Sequence, residues 1–352
     1  MSHEPDQWPP IGPDPYDTGG QPHQMHPPGQ YQPMPPMSPI QPHGYDAPKP
    51  GVIPLRPLGV GEILDGAVRT MTKYAATMFG LTAILVTIGQ LISLIAQAPT
   101  AGTALDPFAD PFVDPLDDAA FIGMLGGQFV AGLAAGLVTI LLYAMLTFVV
   151  SRAVLGQPVS FSDAWAGAKP HLLRIIGLYI LSIIVLIAAI AAIVGSFFIH
   201  PAVGVVAVLT GLVAGVWIAV LVSVAVPAIV FEQATLIGGI KRSIALVRGT
   251  WWRIFGILLL VGVIVLIVTM IVQIPIGIVA GIVGVVVDSP FLILVIGSIG
   301  GILSSLIVTP FMTTTLALLY TDLRMRKEGL DIELTRRVSG GEQPRTEPGP
   351  SL

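Results

Sequence analysis

Residues Ile254–Ile274 read IFGILLLVGVIVLIVTMIVQI, an apolar run without a single charge. Crossing about 30 Å of hydrocarbon takes about 20 helical residues, so this stretch is long enough to span a membrane. Five more runs of the same kind surround it: Ala75–Ala96, Gln128–Val150, Ile175–Ile199, Ala202–Val226 and Phe291–Thr313. Phe121–Val150 and Ile254–Val287 are continuous enough to admit an extended, kinked or re-entrant element, with Pro275 the expected break in the second. A seventh or eighth helix near 121–127 and 275–287 is therefore the competing count. Six is preferred, because an even number places both termini on one side and the charges agree.

The whole chain supports this reading. Its 352 residues are 53% hydrophobic and only 11% charged, with a mean hydropathy of +0.83. A soluble domain carries about 25% charged residues to cover its surface, so an all-α polytopic membrane protein is expected. The chain has no cysteine, which excludes disulfides, thiolate metal sites, iron–sulfur clusters and thiol nucleophiles. Residues 1–54 hold roughly half of the 31 prolines. Their Pro-Gln-Gly composition cannot bury enough apolar area to offset ordering entropy, and a disordered tail is expected there and again over 336–352. No basic, then apolar, signal-peptide pattern opens the chain. The helical domain is placed at 55–335.

With six spans, all 17 basic residues fall on one side. They form four groups: Lys49 to Lys73, Arg152 to Arg174, Lys241 to Arg253, and Arg324 to Arg345. The first connection on the other side, Gln97–Asp118, has five Asp and no Lys or Arg. Basic residues favour the cytoplasmic side, so both termini are expected there. That acidic loop repeats Asp, Pro and apolar residues from Asp106 to Pro115. It is read as solvated, since the glycine and closing Glu of a calcium loop are absent.

Before each odd-numbered span lies an amphipathic stretch, and three blocks align: Gly61–Gly80, Pro158–Gly177 and Ile237–Gly256. Position four is Leu64, Phe161 and Ile240; position eight is Val68, Trp165 and Ile244. In the first block Ile63, Leu64, Ala67 and Met71 share a face, with Asp65, Arg69 and Lys73 on the wet side. Ser160 and Asp163 have capping-box spacing in the second. In the third, Ile237, Ile240, Ile244, Val247 and Trp251 share a face away from Lys241, Arg242 and Arg248. Three hairpins, each preceded by an interfacial helix, are expected.

The run Arg56-Pro57-Leu58-Gly59-Val60-Gly61-Glu62-Ile63-Leu64-Asp65-Gly66-Ala67, then Pro227–Glu232, then Lys241–Gly256, then Leu318–Arg324 with Glu328-Gly329, resembles the bacterial glycerophosphoryl diester phosphodiesterase membrane-domain family. The proline-rich leader is similar to that of actinobacterial proline- and glycine-rich members. The resemblance covers about 56–334. It implies an integral domain of the bacterial plasma membrane, sometimes fused to a phosphodiesterase. The catalytic part does not carry over, because its barrel needs on the order of 250 residues and a His-x-His-Arg-Gly-like motif that this chain lacks.

Chemistry-bearing residues are sparse. His171 and His200 have no second ligand near them in sequence, no phosphate-binding loop or nucleophile elbow occurs, and no ionisable residue is read deep in any span. No catalytic site, cofactor, metal or nucleic-acid partner is expected. The candidates are surfaces. Lys241, Arg242, Arg248, Arg253, Arg324, Arg326 and Lys327, with Trp251 and Trp252, form a basic collar suited to anionic lipid headgroups. Glu62, Asp65 and Glu232 are candidates to pair with that collar and tie the repeats together. The expected role is a non-catalytic scaffold or accessory protein of the cell envelope, with 1–54 as an arm for a cytoplasmic protein partner. The alternative is a transporter or lipid-handling protein, which a polar cavity between hairpins would favour.

Overall fold

The computed structural model describes residues 52–54, 56–100, 118–287 and 289–330. The remaining residues, and the expectations placed on the proline-rich segment, the Asp-Pro-Phe loop and the 336–352 tail, lie outside the described residues.

All described elements are helical, and none is a strand. In chain order they are α1 (Val60–Lys73), α2 (Ala75–Gln97), α3 (Asp118–Val154), α4 (Phe161–Ala168), α5 (Leu172–Ile199), α6 (Pro201–Val222), α7 (Ala225–Glu232), α8 (Leu236–Val247), α9 (Trp251–Val287) and α10 (Pro290–Glu328). Six segments among the described residues are long and apolar enough to cross a membrane; they contain α2, α3, α5, α6, α9 and α10. The chain is a multi-pass membrane protein. The three hairpins α2/α3, α5/α6 and α9/α10 pack as pairs, and α1, α4 and α8 precede them.

Local chemistry sets the helix starts. The Ser160 hydroxyl accepts the Asp163 N–H at 3.2 Å while the Asp163 carboxylate accepts the Ser160 N–H at 3.0 Å, a complete capping box for α4. Thr235 Oγ1 accepts the Gly238 N–H at 3.1 Å and starts α8. His200 is a cap as well, its Nδ1 accepting the Ala202 N–H at 3.1 Å ahead of Pro201. α10 ends on Gly329 with φ +63°.

Several expectations are corrected. Pro275 does not break α9, which runs unbroken for 37 residues, and α3 likewise takes in 121–127 without a separate element. Both are about 55 Å long at 1.5 Å per residue, well beyond the hydrocarbon thickness. Hydropathy marks the lipid-embedded part of a helix, not its ends. In α8 the buried face is Gly239, Ser243, Leu246 and Val247, while Ile237 is exposed. Ile237, Ile240 and Ile244 form the next flank, beside the wet flank of Lys241 and Arg248. Phe161 and Trp165 of α4 and Val68 of α1 are uncovered in the same way. These uncovered aligned positions suit the bilayer boundary, while Leu64 packs against the core; an amphipathic helix here thus has a core flank, a lipid flank and a water flank.

The core is concentrated at one end of the bundle, here the basic end. There α10 packs against α1, α2, α3, α7, α8 and α9. Residues 313–323 of α10 are all buried. Val52 and Ile53, placed by composition in the tail, are buried in the same core. Ile53 fits because residue 66 is glycine: a Cβ at Gly66 would sit 2.9 Å from Ile53 Cγ2. In the segments containing α5 and α6, by contrast, only 6% of the most apolar window is buried, leaving that hairpin's apolar sides to the bilayer.

Candidate functional site

Two ion-pair nodes and a cavity occupy the basic end. The first node is built on Asp322 of α10, whose side chain is fully buried. Its Oδ1 accepts the Leu58 N–H at 2.8 Å and Arg326 Nε at 2.9 Å, and its Oδ2 accepts Arg253 Nη1 at 2.6 Å. The two guanidiniums then converge on the Leu58 carbonyl, Arg253 Nη2 at 3.0 Å and Arg326 Nη2 at 2.6 Å. A buried carboxylate is tolerated only when paired and hydrogen-bonded, and here both oxygens are. The result clamps the strap ahead of α1, of which residues 52–54 and 56–59 are described, to α9 and α10 through Leu58.

The second node joins α7, α8 and α10. Glu232 Oε1 accepts Arg242 Nε at 3.0 Å and Nη2 at 2.8 Å, and the Tyr320 hydroxyl also donates to it. Arg324 Nε lies 3.4 Å from the same oxygen. Arg242 and Arg324 both reach Glu328, at 2.5 and 3.0 Å. The Tyr320 ring meets Phe231 edge-on at 5.3 Å. Hydrogen bonding to Glu232, and then to Glu328, raises the Arg242 pKa above its ordinary value, so it is fully charged.

Most of the collar's charges are therefore engaged within the protein. Arg242, Arg253, Arg324 and Arg326 are held in these nodes, and Lys327 caps the end of α8 through the Ala245 and Arg248 carbonyls at 3.3 and 2.5 Å. Lys241, Arg248 and Trp252 face outward. Trp251 stacks on Phe255 at 5.1 Å. Of the three proposed acids, Glu232 meets the collar, while Glu62 and Asp65 do not. Glu62 pairs with Arg56 at 2.6 Å and accepts the Gly59 N–H, starting α1, and Asp65 pairs with Arg69 at 2.7 Å. Asp322 lies beyond the span read at Phe291–Thr313, in the stretch of α10 that continues into the basic end.

Beside the second node lies a cavity of about 760 Å³. Its polar wall is Ser151, His171, Arg174, Gln233, Thr321 and Arg324; Phe148, Val154, Leu155, Phe231 and Leu330 are among its apolar lining. Arg174 donates to the Gln233 and Ala234 carbonyls at 2.6 and 3.2 Å, bracing Gln233 in a left-handed conformation with φ +54°. His171 is 6% exposed, and its Nδ1 has no hydrogen-bond partner among the described residues. A wall with two guanidiniums facing apolar side chains suits an anionic group carried on a hydrocarbon chain.

Sequence reasoning missed Asp322, Leu58 and Arg174 as site residues and set His171 aside. One signal for Asp322 was visible: an acid closing an apolar helical run, with Arg326 four residues on. Among the described residues no group of His, Asp and Glu could hold a metal ion.

No curated protein and no solved structure matches the chain. A family model does, and its matched region, residues 59–323, takes in α1 to α9, most of α10, and both Asp322 and Glu232. The chain belongs to the family described as Domain of unknown function (DUF7847).

Proposed function

We propose that this multi-pass protein is a non-catalytic lipid-handling protein that holds the headgroup of an anionic phospholipid in the cavity beside Arg174 and Arg324. The observation that carries the reading is the cavity's amphiphilic wall, with guanidiniums on one side and Phe148, Leu155 and Phe231 on the other. The size, about 760 Å³, falls within the range of small-molecule sites. The one-sided distribution of basic residues supports a plasma-membrane protein with both termini and this cavity at the cytoplasmic leaflet. Exposed Lys241 and Arg248, with Trp252, suit the surrounding headgroup layer. The resemblance to phosphodiesterase-associated membrane domains agrees with a role beside phospholipid chemistry that leaves the chemistry to others.

A scaffold role has one observation in its favour. The Leu58 clamp anchors the chain just ahead of α1, where an arm carrying a partner would join the membrane domain. Purification in native lipid patches, with mass spectrometry of everything retained, separates the two readings. Enrichment of anionic phospholipid in the full-length protein, unchanged on removing residues 1–51, supports lipid handling. Stoichiometric proteins lost with those residues, and no lipid enrichment, would overturn it in favour of the scaffold.

A further inference from the structure

The hydroxyl side chains of α3 and α10 follow a common spacing. On α3, Thr139, Tyr143, Thr147 and Ser151 recur every four residues; on α10, Ser305, Thr309, Thr313 and Thr321 do so, with Ala317 the single gap. Rows at i+4 run only about 26° off a helix axis, so each set is a ridge along its helix. Both helices run toward the basic end. Their paired positions show it: Tyr143 and Thr309 share one cavity, and Ser151 and Thr321 share the other.

The first of these cavities, about 280 Å³, lies within the span region between α2, α3 and α10, where Gln90 and Ser93 join the hydroxyls. The second is the cavity at the basic end. Between them along both helices are Thr147 and Thr313, fully buried, whose hydroxyls have no hydrogen-bond partner among the described residues. A helical Thr ordinarily satisfies itself by donating to the carbonyl four residues back, as Thr82, Thr315 and Thr321 do here. Thr147 and Thr313 do not. Buried hydroxyls without partners are uncommon and costly, and two on the helix stretches that connect the polar cavities point to a partner that enters from the cavities.

We infer that α2, α3 and α10 enclose a hydrated polar track joining the intramembrane cavity to the basic-end cavity, narrowest around Thr147 and Thr313. Its ligands are water and, with it, uncharged hydrogen-bonding groups such as hydroxyls and amides. Bare ions are disfavoured, because the stretches of α3 and α10 between the cavities carry hydroxyls but no Asp, Glu, Lys, Arg or His. The track does not depend on phospholipid binding at Arg174.

The chain has no cysteine, so single cysteines report on water directly. A thiol reacts as its thiolate, which forms in water and not in hydrocarbon. The full-length protein in bilayer nanodiscs is treated with hydroxyethyl methanethiosulfonate. The track variants are Thr139→Cys, Thr147→Cys and Thr309→Cys; the lipid-facing controls are Leu137→Cys and Ile307→Cys, which are half-exposed. Thr139→Cys and Thr309→Cys should react roughly tenfold faster than the controls, with Thr147→Cys between. Should Thr147→Cys not assemble, Thr313→Cys reads the same stretch between the cavities. Control-like rates at Thr139 and Thr309 would overturn the track. Fast rates there with control-like rates at both Thr147 and Thr313 would overturn it too, leaving two separate cavities. Retained phospholipid in wild type, measured in parallel, reports on the basic-end cavity independently.

Discussion

The Leu58 N–H donates to Asp322 Oδ1 at 2.8 Å across 264 residues of chain, while the Leu58 carbonyl accepts from Arg253 and Arg326. Leu58 is thus held on both its backbone polar atoms, by Asp322 and Arg326 of α10 and by Arg253 of α9. Removing the charge of a buried, paired carboxylate strands its partners, at a cost of about 3–5 kcal/mol in fully buried cases. Here Arg253 and Arg326 are about a third exposed, so Asp322→Asn is expected to cost about 2–3 kcal/mol. Thermal unfolding in detergent should show it, with Val52–Gly59 becoming protease-sensitive. A variant as stable as wild type with the strap still protected would contradict the clamp.

Gly66 tests the same strap without touching a charge. A Cβ there meets Ile53 Cγ2 at 2.9 Å and Leu318 Cδ1 at 3.1 Å. Gly66→Val should displace Ile53 and cost about 1–3 kcal/mol through overpacking. The check is proteolysis near residue 55 together with the unfolding midpoint; a protected strap at unchanged midpoint would show that the site has room.

Glu232→Gln keeps an oxygen facing Arg242 and Tyr320 but removes the charge. The node is partly exposed, with Glu232 and Arg242 side chains at 24% and 28%. Solvent screening limits the expected loss to about 1 kcal/mol. The effect should shrink in high salt, whereas a salt-independent loss would mean that packing around Tyr320 dominates.

Gln233 occupies a left-handed conformation, φ +54°, costing roughly 1–2 kcal/mol for a residue with a Cβ. Gln233→Gly is expected to raise thermal stability modestly, because the Arg174 bonds reach backbone carbonyls and survive. A drop in stability would show that the Gln233 side chain makes a contribution larger than the strain.

The legible and illegible parts of this molecule divide by physical origin. A span such as Ala75–Ala96 is legible because lipid demands a contiguous apolar run, and α2 runs Ala75–Gln97. The Ser160 and Asp163 capping box is legible because both halves lie within one turn. Pro275 misleads: proline removes one backbone donor, yet α9 continues through it. Ile237 misleads because an interfacial helix has two apolar flanks, one toward protein and one toward lipid, and periodicity cannot tell them apart. Of the Asp322 node, the Arg326 pair four residues on was legible, but the Leu58 N–H was out of reach, since it lies near the other end of the chain. Glu62 and Asp65 were assigned distant partners when nearer ones, Arg56 and Arg69, were available.

The most direct test of the account is lipid retention by three full-length proteins in nanodiscs with equal anionic and zwitterionic phospholipid: wild type, Arg174→Gln and Lys241→Gln. Arg174 faces the cavity and Lys241 the surrounding surface. Wild type should retain anionic phospholipid selectively, Arg174→Gln should lose roughly tenfold of that selectivity, about the value of one charge-assisted contact, and Lys241→Gln should behave as wild type. Equal retention by wild type and Arg174→Gln, or a loss confined to Lys241→Gln, would contradict the cavity as the site.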